Sequence, residues 1–105
     1  RFFEMHRNPD INRGVEEYQR SADAVLLDVR TPQEYRQGHI PGSINLPLQD
    51  LDNVYEVVEN EDAVLYVYCR SGARSRQAVS ILHHMGFANA TNIGGIAAYT
   101  GKVET

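Results

Sequence analysis

The chain has 105 residues, 42% of them hydrophobic and 23% charged, with a formal net charge of -4. That length supports one core without disulfide or metal staples, so residues 1–105 are read as a single domain. The acidic balance excludes the general basic face that nucleic acid or an anionic membrane surface requires, and there is no apolar run of about eighteen residues to span a bilayer.

The opening RFFEMHR lacks Met and shows no signal-peptide pattern, which leaves room for residues upstream. A lone cysteine, Cys69, can form no internal disulfide, which fits a reducing compartment, and a cytoplasmic location is expected. Taken in order, FFEMH at residues 2–6 reads as a first strand and residues 12–20 as a helix. The segment AVLLDV, residues 24–29, is a continuous apolar run rich in branched side chains, the pattern of a buried parallel strand. TPQE follows at once as a capping box. Thr31 can accept from the third helical N–H, Pro32 stands where a missing N–H is harmless, and Glu34 reaches back; Gly38 ends the short helix. SIN at residues 43–45 reads as a short strand. EVVENED, residues 56–62, has four acids and no base, and reads as a solvated helix end and loop.

AVLYVY, residues 63–68, is a second apolar strand. Beyond it Ala78, Val79, Ile81, Leu82 and Met85 recur at helical spacing, with Gly86 in the usual closing position. ATNI, residues 90–93, reads as the last strand. Repeated strand, turn and helix units point to an α/β fold whose sheet is mostly parallel.

Against the acidic background, the stretch CRSGARSR sets the only thiol beside Arg70, Arg74 and Arg76. Cys69 falls at the carboxyl end of a strand and just before a helix, the place where open α/β sheets bind ligands. A helix amino terminus presents unpaired N–H groups and a partial positive charge, so a thiolate there is stabilised and its pKa lowered. Ser71, Gly72 and Ala73 are small enough for the backbone to curl and aim several N–H groups at one point. An inert buried cysteine is the bland alternative, but it suits an apolar setting rather than this one. One Cys and four scattered His give no metal-ligand spacing, adjacent His83 and His84 point to different helix faces, and the absence of a CxxC pair excludes a dithiol cycle within this chain. No metal or organic cofactor is expected.

A cysteine cradled in such a loop serves either phosphoryl or sulfur transfer. Cysteine-type phosphatase loops resemble Cys, five residues, Arg; here four residues separate Cys69 from Arg74, and Ser75 stands where the phosphatase arginine would be. The tighter ring suits a single sulfur atom carried on the cysteine. The chain then resembles a single-domain rhodanese-type sulfurtransferase, on three ordered stretches: VLLDVRTPQEYRQGHIPGSINLP at residues 25–47, the loop CRSGARS at 69–75, and NIGGIAAYTG at 92–101. It departs from the family where Tyr99 stands in the place that usually holds Trp, and where only Arg70 follows the cysteine directly, the second cation being displaced to Arg74.

The resemblance implies a three-layer rhodanese-like fold with a mostly parallel central sheet of about five strands flanked by helices. It implies Cys69 as persulfide-forming nucleophile and Arg70, Ser71, Gly72, Ala73, Arg74 and Ser75 as the substrate-binding loop. The implied partners are a small anionic sulfur donor, thiosulfate first, with polysulfide or a protein persulfide open; a thiol or cyanide acceptor; and a protein as a further sulfur acceptor. Neither nucleic acid nor membrane is among them. Two rival readings are a non-catalytic or redox-sensing module of the same fold, and a cysteine-dependent phosphatase or arsenate reductase. Asp28 and Arg30 are expected to tie loops together, and His39 to be structural.

Overall fold

The computed structural model describes residues 8–105. The strand expected at residues 2–6 lies outside the described residues. Helix α1, Ile11–Arg20, starts at Asp10, whose carboxylate accepts from the amides of Asn12 at 3.1 Å and Arg13 at 3.4 Å. This satisfies two of the donors that a helix start leaves unpaired. Strand β1, Val25–Asp28, runs into α2, Pro32–Gln37, through the capping box read from TPQE. Thr31 Oγ1 accepts from Glu34 N at 3.2 Å, and Glu34 Oε1 accepts from Thr31 N at 2.9 Å. Strand β2, Ile44–Asn45, precedes an irregular 3-10 segment, Leu48–Glu56, bent at Asp50. Strand β3, Leu65–Cys69, leads to α3, Ala73–Met85, which ends on left-handed Gly86. Strand β4, Ala90–Gly95, and a 3-10 turn, Ile96–Ala98, follow.

Among the described residues the sheet has four strands in the order β2-β1-β3-β4, and every pairing is parallel. Alternation along the strands sends side chains to two cores, as the two-residue period requires. Leu26 and Tyr68 join Ile11, Val15, Ile40 and Ile93 beneath α1. Leu27, Leu65, Val67 and Cys69 face α3 and the 3-10 segment, with Leu51, Val54, Ala78, Leu82 and Phe87. Each fully buried aliphatic side chain contributes about 1.5–3 kcal/mol of hydrophobic stabilisation. Gly14 is where α1 crosses β4: a Cβ there would stand 2.5 Å from Ile93 Cγ2. Ile81 belongs to the helical apolar set in the sequence but is 38% exposed, because α3 packs on the sheet through Ala78, Val79 and Leu82 instead.

Two ties fix the ends of these elements. Asp28, fully buried, accepts from Arg30 Nε and from Arg30 Nη2 at 2.7 Å, and that Nη2 also donates to Gly38 O at 2.7 Å. Burial works against the Arg30 charge, but Asp28 more than compensates and its pKa is raised. Near the carboxyl end, His39 and Glu104 exchange two backbone hydrogen bonds of 2.8 Å in an antiparallel bridge, beside a stacked Tyr35–His39 ring pair at 3.7 Å. No described helix is long and apolar enough to cross a membrane.

Candidate active site

Cys69 is the last residue of β3, and α3 begins four residues later. The turn between them needs Gly72, whose φ of +99° lies in the left-handed region that side chains with a Cβ avoid. That conformation brings the Gly72 N–H back to Cys69 Sγ at 3.0 Å. Ser75 Oγ, buried one helical turn on, lies 3.4 Å from the same sulfur. Burial pushes the thiol up, but the Ser75 hydroxyl together with the amides of Ser75, Gly72 and Ser71 outweighs it, so the Cys69 pKa lies below its ordinary value. The sulfur is thus held where negative charge is favoured, by donors fixed in advance.

Of the loop residues read from the sequence, Ser71, Gly72 and Ser75 present groups to this sulfur, while the cations divide their labour elsewhere. Arg70, Ser71 and Ala73 are exposed, Gly72 is half-buried and Ser75 is buried. Arg74 turns away from the ring: its Nη1 and Nη2 donate to Glu34 Oε1 and Oε2 at 2.8 and 3.0 Å. That fork, more than the accompanying Thr31 contacts, holds the Glu34 carboxyl down to about 2. Arg74 therefore anchors the start of α3 to the start of α2.

Arg70 and Arg76 instead face a cleft of about 1050 Å³ between the loop, the start of α1 and the end of β4, with Asp10, Ile11, Asn92 and Gly95 also on its wall. Gly95 lets the chain pass close behind the loop, since a Cβ there would collide with Arg70 O and stand 2.6 Å from Ser71 Cα. Ala97 N donates to Arg70 O at 3.0 Å, fastening the loop to the last turn.

Sequence reasoning missed three participants. Asn92 donates to Gly72 O and accepts from Ser75 Oγ at 2.7 Å; its only signal was a position two residues before the glycine pair. Arg76 was noted as a charge without a place. Tyr68, explained by packing alone, also donates to Ser43 Oγ at 3.2 Å and accepts from Ile40 N at 3.1 Å, and burial followed by Asp28 raises its pKa. Among the described residues no cluster of three or more His, Cys, Asp or Glu side chains is gathered as a metal site would require.

Comparison with protein families matches the rhodanese-like domain over residues 13–102. The chain belongs to the rhodanese-like domain family. Among its relatives, the thiosulfate sulfurtransferase PspE of Escherichia coli is 38% identical over 71 residues, covering 67% of this chain and 68% of that protein. A sulfurtransferase of Allochromatium vinosum is 42% identical over 79 residues, covering 73% and 72%. A solved structure described as a rhodanese with anions from E. coli superposes with a TM-score of 0.73 at 32% identity, over 78% of this chain and 98% of that one. The rhodanese fold expected from the three motifs is thus established, with four parallel strands described against an expectation of about five.

Proposed function

We propose that this rhodanese-like protein is a sulfurtransferase that moves sulfane sulfur from an anionic donor, thiosulfate first among them, to a thiol or cyanide acceptor through a persulfide on Cys69. The Cys69 thiolate attacks the donor's outer sulfur. The donor's S–S bond breaks, and sulfite leaves with the electron pair. The outer persulfide sulfur then lies in the ring of loop amides. An acceptor thiolate or cyanide attacks that sulfur, and the Cys69 thiolate departs as the leaving group. Two half-reactions with a covalent intermediate predict ping-pong kinetics.

The observation that carries this reading is the 3.0 Å contact from the Gly72 amide to Cys69 Sγ, in a loop that lowers the thiol pKa. Arg70 and Arg76, both exposed on the cleft beside the loop, are the groups to draw in an anionic donor. Arg74 is better suited to holding the loop than to binding the donor, since its fork is occupied by Glu34. The same occupancy weighs against phosphatase chemistry, which needs an arginine aimed into the ring. A single free cysteine suits a reducing compartment, and cytoplasmic placement stays part of the proposal.

One observation favours a binding module instead: Cys69 is fully buried, which restricts a donor's approach to its sulfur. Intact-mass measurement after incubation with thiosulfate separates the two readings. One added sulfur atom on the wild type, absent from Cys69→Ser, is the expected result. An unmodified wild-type thiol would overturn the enzyme reading in favour of the module.

A further inference from the structure

Strand β4 breaks register beside the loop: Val67 pairs with Asn92, but Tyr68 pairs with Gly94, so Ile93 is the extra residue of a bulge. The bulge leaves the Asn92 carboxamide among three parts of the cradle. Its Nδ2 donates to Gly72 O at 3.2 Å, and its Oδ1 accepts from Gly94 N at 3.0 Å and from Ser75 Oγ at 2.7 Å. The orientation of the amide is forced, because the Gly94 N–H can only donate and the Gly72 carbonyl can only accept.

Ser75 has one hydroxyl hydrogen and three acceptors in reach: Asn92 Oδ1 at 2.7 Å, Cys69 Sγ at 3.4 Å and Gly94 O at 3.5 Å. The shortest contact takes it. With Cys69 as a neutral thiol, these distances favour the Ser75 hydrogen toward Asn92 and a lone pair toward the sulfur. When the sulfur carries negative charge, the same hydrogen is wanted there.

We propose that Asn92 is a positioning residue for the sulfur chemistry, one that competes with Cys69 for the Ser75 hydrogen and so limits how far the loop stabilises the thiolate. The inference builds on Cys69 as the reactive group but not on any particular donor. A limit of this kind has a chemical use: a thiolate that is stabilised too well is a poorer nucleophile, and attacking power is greatest when the pKa lies near the working pH. Charged groups around the loop are Arg74 of α3 with Glu34 of α2, Arg76 of α3, Asp28 at the end of β1 with Arg30 just beyond it, and the neighbouring Arg70. On the 3-10 segment, Asp50, Asp52 and Glu56 are exposed, as is Asp10 before α1, and β4 carries no ionisable side chain. Substitution at residue 92 by a neutral side chain therefore leaves the charges in place.

The test is the pH dependence of iodoacetamide alkylation of the full chain, read by mass, which reports one site because the chain has one cysteine. It needs no sulfur-transfer activity, so its failure is distinct from failure of the proposed function. Asn92→Ala frees the hydroxyl, and the alkylation midpoint should fall by about half to one pH unit. Ser75→Ala should raise the midpoint, and adding Asn92→Ala to it should produce no fall. A residue that merely stiffens the loop would raise the midpoint when removed, in both backgrounds. An unchanged or higher midpoint in Asn92→Ala, or an equal fall with and without Ser75, overturns the proposal. Should Asn92→Ala not fold by circular dichroism, the near-isosteric and uncharged Asn92→Leu decides by the same comparison: its midpoint must fall with Ser75 present and not fall in the Ser75→Ala background, and a rise or no change with Ser75 present refutes the assignment.

Discussion

Replacing Glu34 by Gln probes the anchor that joins two helices. The wild-type carboxylate accepts from Thr31 N at 2.9 Å, from Thr31 Oγ1 at 3.2 Å and from the two Arg74 donors at 2.8 and 3.0 Å. Gln keeps the shape and a carbonyl oxygen for the capping contacts, but it loses the charge and one end of the fork. The Glu34 and Arg74 side chains are 27% and 34% exposed, so solvent screens the pair. Its loss, with the lost anion at the α2 start, should cost about 1–2 kcal/mol. In a domain near this size each kcal/mol moves the melting temperature by about 4–8 °C. The carboxyl is held at about 2, below its ordinary 4.5, chiefly by Arg74. Its stabilisation is therefore present above about 4.5 and lost as pH falls toward about 2. Urea unfolding of wild type and Glu34→Gln at neutral pH, and then stepwise down in pH, measures this directly. The gap should be open at neutral pH and close across that acid window. No gap at neutral pH, or a gap that persists undiminished at the acid end, would refute the reasoning.

Gly72→Ala puts a Cβ on a residue with φ of +99° and within 3.5 Å of Gly94 Cα, so thermal unfolding should show a loss of about 1–2 kcal/mol. Sulfur loading of Cys69, read by mass, should slow as the amide leaves the sulfur. Arg70→Ala, compared with Arg76→Ala in steady-state kinetics, should raise KM for an anionic donor by about three- to tenfold with a small change in kcat, and added salt should reduce the difference. A KM insensitive to both substitutions and to salt would remove these two residues from donor capture.

Local signals in this chain proved readable wherever the physics is local. The capping box in TPQE depends on four adjacent residues, and the structure forms it as the sequence implies. Gly86 closes α3 in the left-handed conformation for the same reason. Buried parallel strands announce themselves as apolar runs, and β1, β3 and β4 fall within two residues of the ranges read from sequence. Legibility ended where distant residues decide the outcome. Glu34 meets Arg74 across 40 positions of sequence, so the loop arginine could not be seen to be occupied. Asn92 depends on a bulge, and a bulge leaves little trace in a six-residue strand. The 3-10 segment Leu48–Glu56 lacks a clean apolar period, and it takes its shape by burying Leu51 and Val54 against α3. Ile81 shows the converse, an apolar residue at the right spacing whose side of the helix has nothing to cover it.

The antiparallel clasp between His39 and Glu104 also has a mechanical meaning. A force applied through a tether or fused partner at the carboxyl end reaches these two hydrogen bonds before it reaches any strand of the sheet. Two backbone hydrogen bonds are few beside the ladder of the sheet, so this contact is the first that such a load has to break.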